Sequence, residues 1–132
     1  MDFKKILLLL FLFLFLDSCS DDNLKSISTN LGINIDDISG KYIEKEQWNE
    51  FNGDGYRMTV YFVDKQKESS LLNDMKSKGG IFIKRNCNIN PLLKGYITSD
   101  SVMCLSKDKA NETYELVFDN TNLKLYYYHE IR

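Results

Sequence analysis

Hydrophobic and polar positions divide the chain into three stretches with different rhythms. Residues 6–16 are an unbroken run of Ile, Leu and Phe, preceded by Lys4 and Lys5. A helix there would have no polar face, and crossing a bilayer takes ~20 apolar residues, about twice what stands here. From 23 to 35 the chain is mostly polar. Its apolar positions, Leu24, Ile27, Leu31, Ile33 and Ile35, are unevenly spaced, so the stretch is expected to serve as a tether, with a helical turn near Asp36-Asp37. From Gly40 onward the pattern becomes short apolar alternations separated by turn residues.

In that last stretch the alternation assigns faces. Residues 41–46 form a first strand, and Asn52-Gly53-Asp54-Gly55 is a turn signal leading into a strand over 56–63. Tyr56, Met58, Val60 and Phe62 share one face and Arg57, Thr59, Tyr61 and Val63 the other, because successive side chains of a strand point to opposite sides. Residues 69–78 predict the one helix of the domain, with Leu71, Leu72 and Met75 as its stripe and Gly79-Gly80 ending it. A strand over 81–84 and a loop over 86–91 follow. Further strands are expected at 96–98 with 102–105, at 114–118 and at 123–131, with turns at 107–112 and 119–122. Short strands in quick succession pair antiparallel, since parallel pairing needs a crossover of a dozen residues or more. The predicted fold is mainly β, an antiparallel meander or small open barrel of five to seven strands with one short helix, occupying residues 38–132.

Charge and composition remove several functional classes. The 132 residues carry 17 Lys and Arg against 19 Asp and Glu, a net charge of −2. Nucleic-acid recognition normally requires a basic stripe, so no nucleic-acid partner is expected. The chain has no Gly-rich phosphate loop, serine elbow or Cys/His zinc cluster, and the expectation is a non-enzymatic protein with no cofactor and no metal. Its single histidine, His129, alternates with Leu125, Tyr127 and Ile131, a packed or edge position rather than that of a base. Glu50, Asn52, Asp54 and Gly55 have the spacing of the first half of an EF-hand calcium loop. The twelfth position is Tyr61, where a bidentate Glu is needed, so a plain hairpin turn accounts for them better.

The N-terminal stretch has the charged-then-apolar layout of a secretory signal peptide. Leu16-Asp17-Ser18-Cys19 resembles the lipobox of bacterial lipoproteins, although Asp17 stands where a small or apolar residue is usual. That resemblance implies cleavage before Cys19, with 1–18 as signal peptide, lipid on the Cys19 sulfur, and 19–37 as a lipidated tether. A thiol is nucleophilic enough for the thioether this needs. Ser20-Asp21-Asp22 is similar to the export signal that sends lipoproteins of Bacteroidota to the outer face of the outer membrane; a periplasm-facing anchor is the alternative. Residues 38–42, Ile-Ser-Gly-Lys-Tyr, resemble the Gly-x-Trp opening of lipocalin-like barrels, with Tyr for Trp.

Two further features concern the mature domain. Cys87 and Cys104 remain once Cys19 is lipidated, and an exported domain permits them to pair as a disulfide; two buried thiols are the alternative. Tyr126-Tyr127-Tyr128 lies in the last predicted strand. Tyr127 is expected in the core, while Tyr126 and Tyr128, with Val117 and Tyr61, are expected to form an exposed aromatic binding strip unless the helix near Leu71 covers them. The resulting expectation is a membrane-anchored, surface-exposed binding module for a protein or small molecule. An envelope inhibitor of a toxin or protease, and an accessory subunit of an outer-membrane complex, are the alternatives.

Overall fold

A computed structural model of the chain describes residues 4–5, 22–35, 38–48 and 53–132. Its centre is one antiparallel sheet of β1 (Ile38–Trp48), β2 (Gly55–Val63), β3 (Ile81–Phe82), β4 (Val102–Lys109), β5 (Glu112–Asp119) and β6 (Lys124–Ile131). The strand order is β1-β2-β6-β5-β4-β3, so β6 returns beside β2, and β1 and β3 form the two edges. The expected antiparallel β fold is present as an open sheet. It does not close as a lipocalin-like barrel would, because β1, which carries Gly40 and Tyr42, pairs with β2 and lies at an edge.

The elements follow from local chemistry, with some departures from expectation. β4 and β5 run further than the apolar positions suggested, to the pair Lys109 and Glu112, leaving a two-residue turn at Ala110 and Asn111. Between β2 and β3 lies α2 (Glu68–Ser77), which buries Leu71 and Met75. At Gly80 an added Cβ would stand 2.8 Å from the Met75 carbonyl oxygen, so only glycine lets the helix end this close to β3.

Two helices arise where none was expected. α1 (Asp22–Leu31) occupies most of the stretch assigned to a tether. Leu24, Ile27 and Leu31 are three and four residues apart and share a helix face. Gly32, at φ +72°, ends the helix with its N–H bonded to the Ser28 carbonyl at 3.0 Å. α3 (Pro91–Tyr96) fills the stretch between the expected loop at 86–91 and the expected strand at 96–98, and no strand forms at 96–98. The Asn90 side chain accepts from the Leu92 N–H at 2.9 Å and Pro91 takes the first turn, a helix start that the proline does not disturb.

Both faces of the sheet are covered. On one, Ile27, Leu31 and Ile33 of the N-terminal segment and Leu71 and Met75 of α2 pack on Leu116, Phe118, Leu125 and Tyr127. On the other, residues 83–101 lay Ile89, Leu93 and Ile97 over Met58, Val60, Val117 and Tyr126. Each fully buried aliphatic side chain stabilises the fold by roughly 1.5–3 kcal/mol.

Candidate binding surface

The residues singled out in the sequence fall in different places. Cys19, Ser20 and Asp21 lie outside the described residues, and Asp22 is the first residue of α1. Glu50 and Asn52 also lie outside them. β1 and β2 flank the segment with Trp48 opposite Gly55, the geometry of a hairpin. Gly55, at φ +153°, approaches the opposing strand so closely that a Cβ would lie 2.0 Å from the Gln47 carbonyl oxygen.

Cys87 and Cys104 sit at disulfide distance, Cα to Cα 6.0 Å, and link the segment after β3 to β4. Both are buried, and Ile81 stands directly opposite Cys104 in the sheet. The pair fastens the covering segment to the second face of the sheet.

The expected aromatic strip is core, not surface. Tyr126 and Tyr128 share a face with Val117, as their spacing requires, but all three are buried. The covering element is the 83–101 segment and not the helix near Leu71, which lies on the opposite face. Tyr61 is fully buried on that opposite face, across from Leu125. A two-layer picture left one face open; the chain supplies a cover for each. Tyr128 Oη accepts from Asn90 Nδ2 at 3.1 Å, donates to Glu130 Oε1 at 3.1 Å, and its ring stacks on Tyr56. Tyr127 Oη lies 2.6 Å from Ser26 Oγ of α1, and burial pushes this phenol up to about 12. His129 is packed at the sheet end, stacked on Tyr114, with Nε2 3.1 Å from Glu112 Oε1.

At the margin of the second cover a polar cleft of about 250 Å³ opens to solvent, lined by Asn90, Asp108, Glu115, Glu130 and Arg132. Glu115, only 5% exposed, accepts from the Asn90 N–H through both carboxylate oxygens, at 2.8 and 3.1 Å. Burial raises its carboxyl to about 7, with Glu130 and Asp108 adding to the effect. Among the described residues, no three His, Cys, Asp or Glu side chains converge as metal ligands would.

Large apolar side chains reach solvent elsewhere. Ile81 and Phe82, the whole of β3, are 47% and 45% exposed, and Tyr96 and Phe62 are 38% exposed. β3 is so short because Ile83 turns the chain at φ 76°, a backbone state costing a β-branched residue ~1–3 kcal/mol. The turn is held by the Ile83 N–H on the Val102 carbonyl at 3.0 Å, and Lys84 Nζ donates to the Ile97 carbonyl at 2.8 Å. Edge strands usually carry charge or cover against pairing with another chain. Here the edge is apolar, and the stretch of sequence around it is basic. From 75 to 99 the sequence holds Lys76, Lys78, Lys84, Arg85 and Lys94 and no acidic residue. That charge asymmetry is visible in the sequence, in a stretch that the tyrosine pattern does not include.

The opposite edge is built differently. β1 is irregular at two points of its register with β2, and Lys45, Glu46 and Gln47 are exposed along it. Bulges and charges of this kind blunt an edge against strand addition. No family model matches the chain, and neither a curated protein nor a solved structure does.

Proposed function

We propose that this chain is an envelope lipoprotein, lipidated at Cys19, whose domain is a non-enzymatic binding module. It presents the β3 edge to a protein partner bearing apolar side chains among acidic ones. The carrying observation is the exposure of Ile81 and Phe82 on a strand that leaves no room for charge between them. Interfaces commonly set an apolar centre within a polar rim, and complementary charge steers the partner to it. The basic run from Lys76 to Lys94 supplies that rim's sign. The lipid anchor and an outward-facing position rest on the lipobox-like residues 16–19 and the export-like residues 20–22.

The test uses the full precursor in cells. Wild type and an Ile81→Ser, Phe82→Ser double variant are purified from membranes in mild detergent, and the bound proteins are compared. The expected result is a partner held by wild type and lost with the double variant, while both melt at similar temperatures. A partner retained in full by the double variant overturns the site. Mass analysis of the mature N-terminus should find acyl chains on Cys19, and an unmodified thiol there overturns the anchor.

A further inference from the structure

The short spacing in sequence between Cys19 and α1 has a geometric consequence that a longer tether would not have. Cys19 and Asp22, the first residue of α1, are three positions apart. Three residues span at most about 10 Å even when fully extended.

α1 is part of the fold from its first turn. Asn23 Nδ2 donates to Thr59 Oγ1 of β2 at 3.0 Å, and Thr59 is fully buried. Ser26 Oγ meets Tyr127 Oη of β6, and Leu31 lies beside Leu105 of β4. The helix therefore starts over β2, next to edge strand β1, and runs across the sheet away from that edge. It cannot be paid out as extra tether without exposing Ile27 and Ile33, both fully buried.

Resting on the reading that Cys19 carries lipid, we propose that the domain sits flush on the bilayer, its β1 edge turned toward the lipid headgroups. The occupant of this surface is the headgroup layer of the membrane holding the Cys19 acyl chains. The last residues of β1 suit that layer, since Lys45, Glu46 and Gln47 are hydrophilic and exposed and Trp48, the only tryptophan, stands half-buried at the strand's end. Tryptophan is favoured at membrane interfaces for its amphipathic ring. The β3 edge lies five strand spacings away, roughly 24 Å at ~4.8 Å each. The domain so placed directs Ile81 and Phe82 away from the bilayer, which is why a protein rather than a lipid surface is their partner.

Nitroxide labels test the orientation directly. The full precursor is expressed so that it is processed, then reconstituted into vesicles of phosphatidylethanolamine and phosphatidylglycerol doped with a lipid whose headgroup chelates nickel. Labels go at Lys45→Cys or Gln47→Cys on β1 and at Lys107→Cys or Lys109→Cys on β4, all exposed positions. Two sites on each strand guard against one label unfolding the domain, which melting of each variant detects. Nickel-induced relaxation is expected to be several-fold stronger on β1 than on β4. Inserting a flexible Gly/Ser linker of roughly ten residues between Asp21 and Asp22 should abolish the difference. Equal relaxation on both strands, in protein that floats with the vesicles at native spacing, overturns the flush placement and leaves the anchor standing. Protein that does not float with the vesicles overturns the anchor, and the placement with it.

Discussion

The two layers that cover the sheet close it by different means. On one side α1 and α2 offer aliphatic side chains at helical spacing, and uncharged side chains of α1 reach hydroxyls of the sheet, Asn23 to Thr59 and Ser26 to Tyr127. On the other, residues 83–101 contain a single 3-10 turn, Lys84–Asn86, and the six-residue α3, and the layer is pinned by Cys87 to Cys104, by Glu115 to the Asn90 N–H, and by Tyr128 to Asn90. β6 serves both, since Tyr127 and Tyr128 point to opposite faces and each phenol takes hold of a different cover. A regular helix satisfies its own backbone and can be held by burial alone. An irregular segment brings unpaired backbone groups and fewer side chains to bury, so a covalent link and buried hydrogen bonds replace the missing apolar area.

The largest test of that contrast falls on α1. Ile27 is fully buried against the sheet, so Ile27→Asp should destabilise the domain by about 4 kcal/mol or more, because a charge would lie where no partner waits. Urea unfolding of the processed protein measures this. A loss below about 0.5 kcal/mol, the usual range for surface positions, would return residues 22–31 to the status of a tether and leave that face uncovered.

The sequence made the sheet legible where alternation and turn residues agree, as in β2, β5 and β6, because a period of two leaves few other conformations open. α2 was equally plain from Leu71, Leu72, Met75 and the two glycines after it. α1 was missed although Leu24, Ile27 and Leu31 keep helical spacing, because Ile33 and Ile35 continue the apolar positions past the helix and blur its period. α3 was missed although Asn90-Pro91 is a helix start, because Pro91 also reads as a strand breaker. The tyrosines expected at the surface are buried for a different reason. Alternation says which tyrosines share a face but not what covers that face, and the cover comes from a segment with no periodicity of its own. Pairing of Cys87 with Cys104 was the one long-range contact that residue type alone suggested.

That pair is the next test. Replacing both cysteines with Ala reopens a loop of sequence separation 17 and should cost ~3 kcal/mol. Hydrogen exchange should locate the loosening in residues 83–101 while the α1 layer keeps its protection. Equal loss of protection in both layers would mean that they open as one unit, and the distinction between them would fail.

The smallest effect concerns the buried carboxyl of Glu115 under the second layer. Glu115 of β5 faces Asp108 of β4 and Glu130 of β6, with the Arg132 guanidinium 3.9 Å from each of those two, while the covering segment meets it through the uncharged Asn90. Burial lifts its carboxyl from the ordinary 4.5 to about 7, so between these values the folded chain keeps a proton that the unfolded chain has released. The resulting stabilisation is complete below the unfolded value and is lost as pH rises through about 7. Glutamine at this position still accepts from Asn90 and cannot ionise. Glu115→Gln should therefore match the parent near pH 4 and exceed it by roughly 1–3 kcal/mol near pH 8, read from urea midpoints at each pH. The gain should appear as added hydrogen-exchange protection in residues 83–101. An advantage of the same size at both pH values would trace the effect to packing instead of ionisation, and the second layer would then resemble the first in carrying no pH-dependent group.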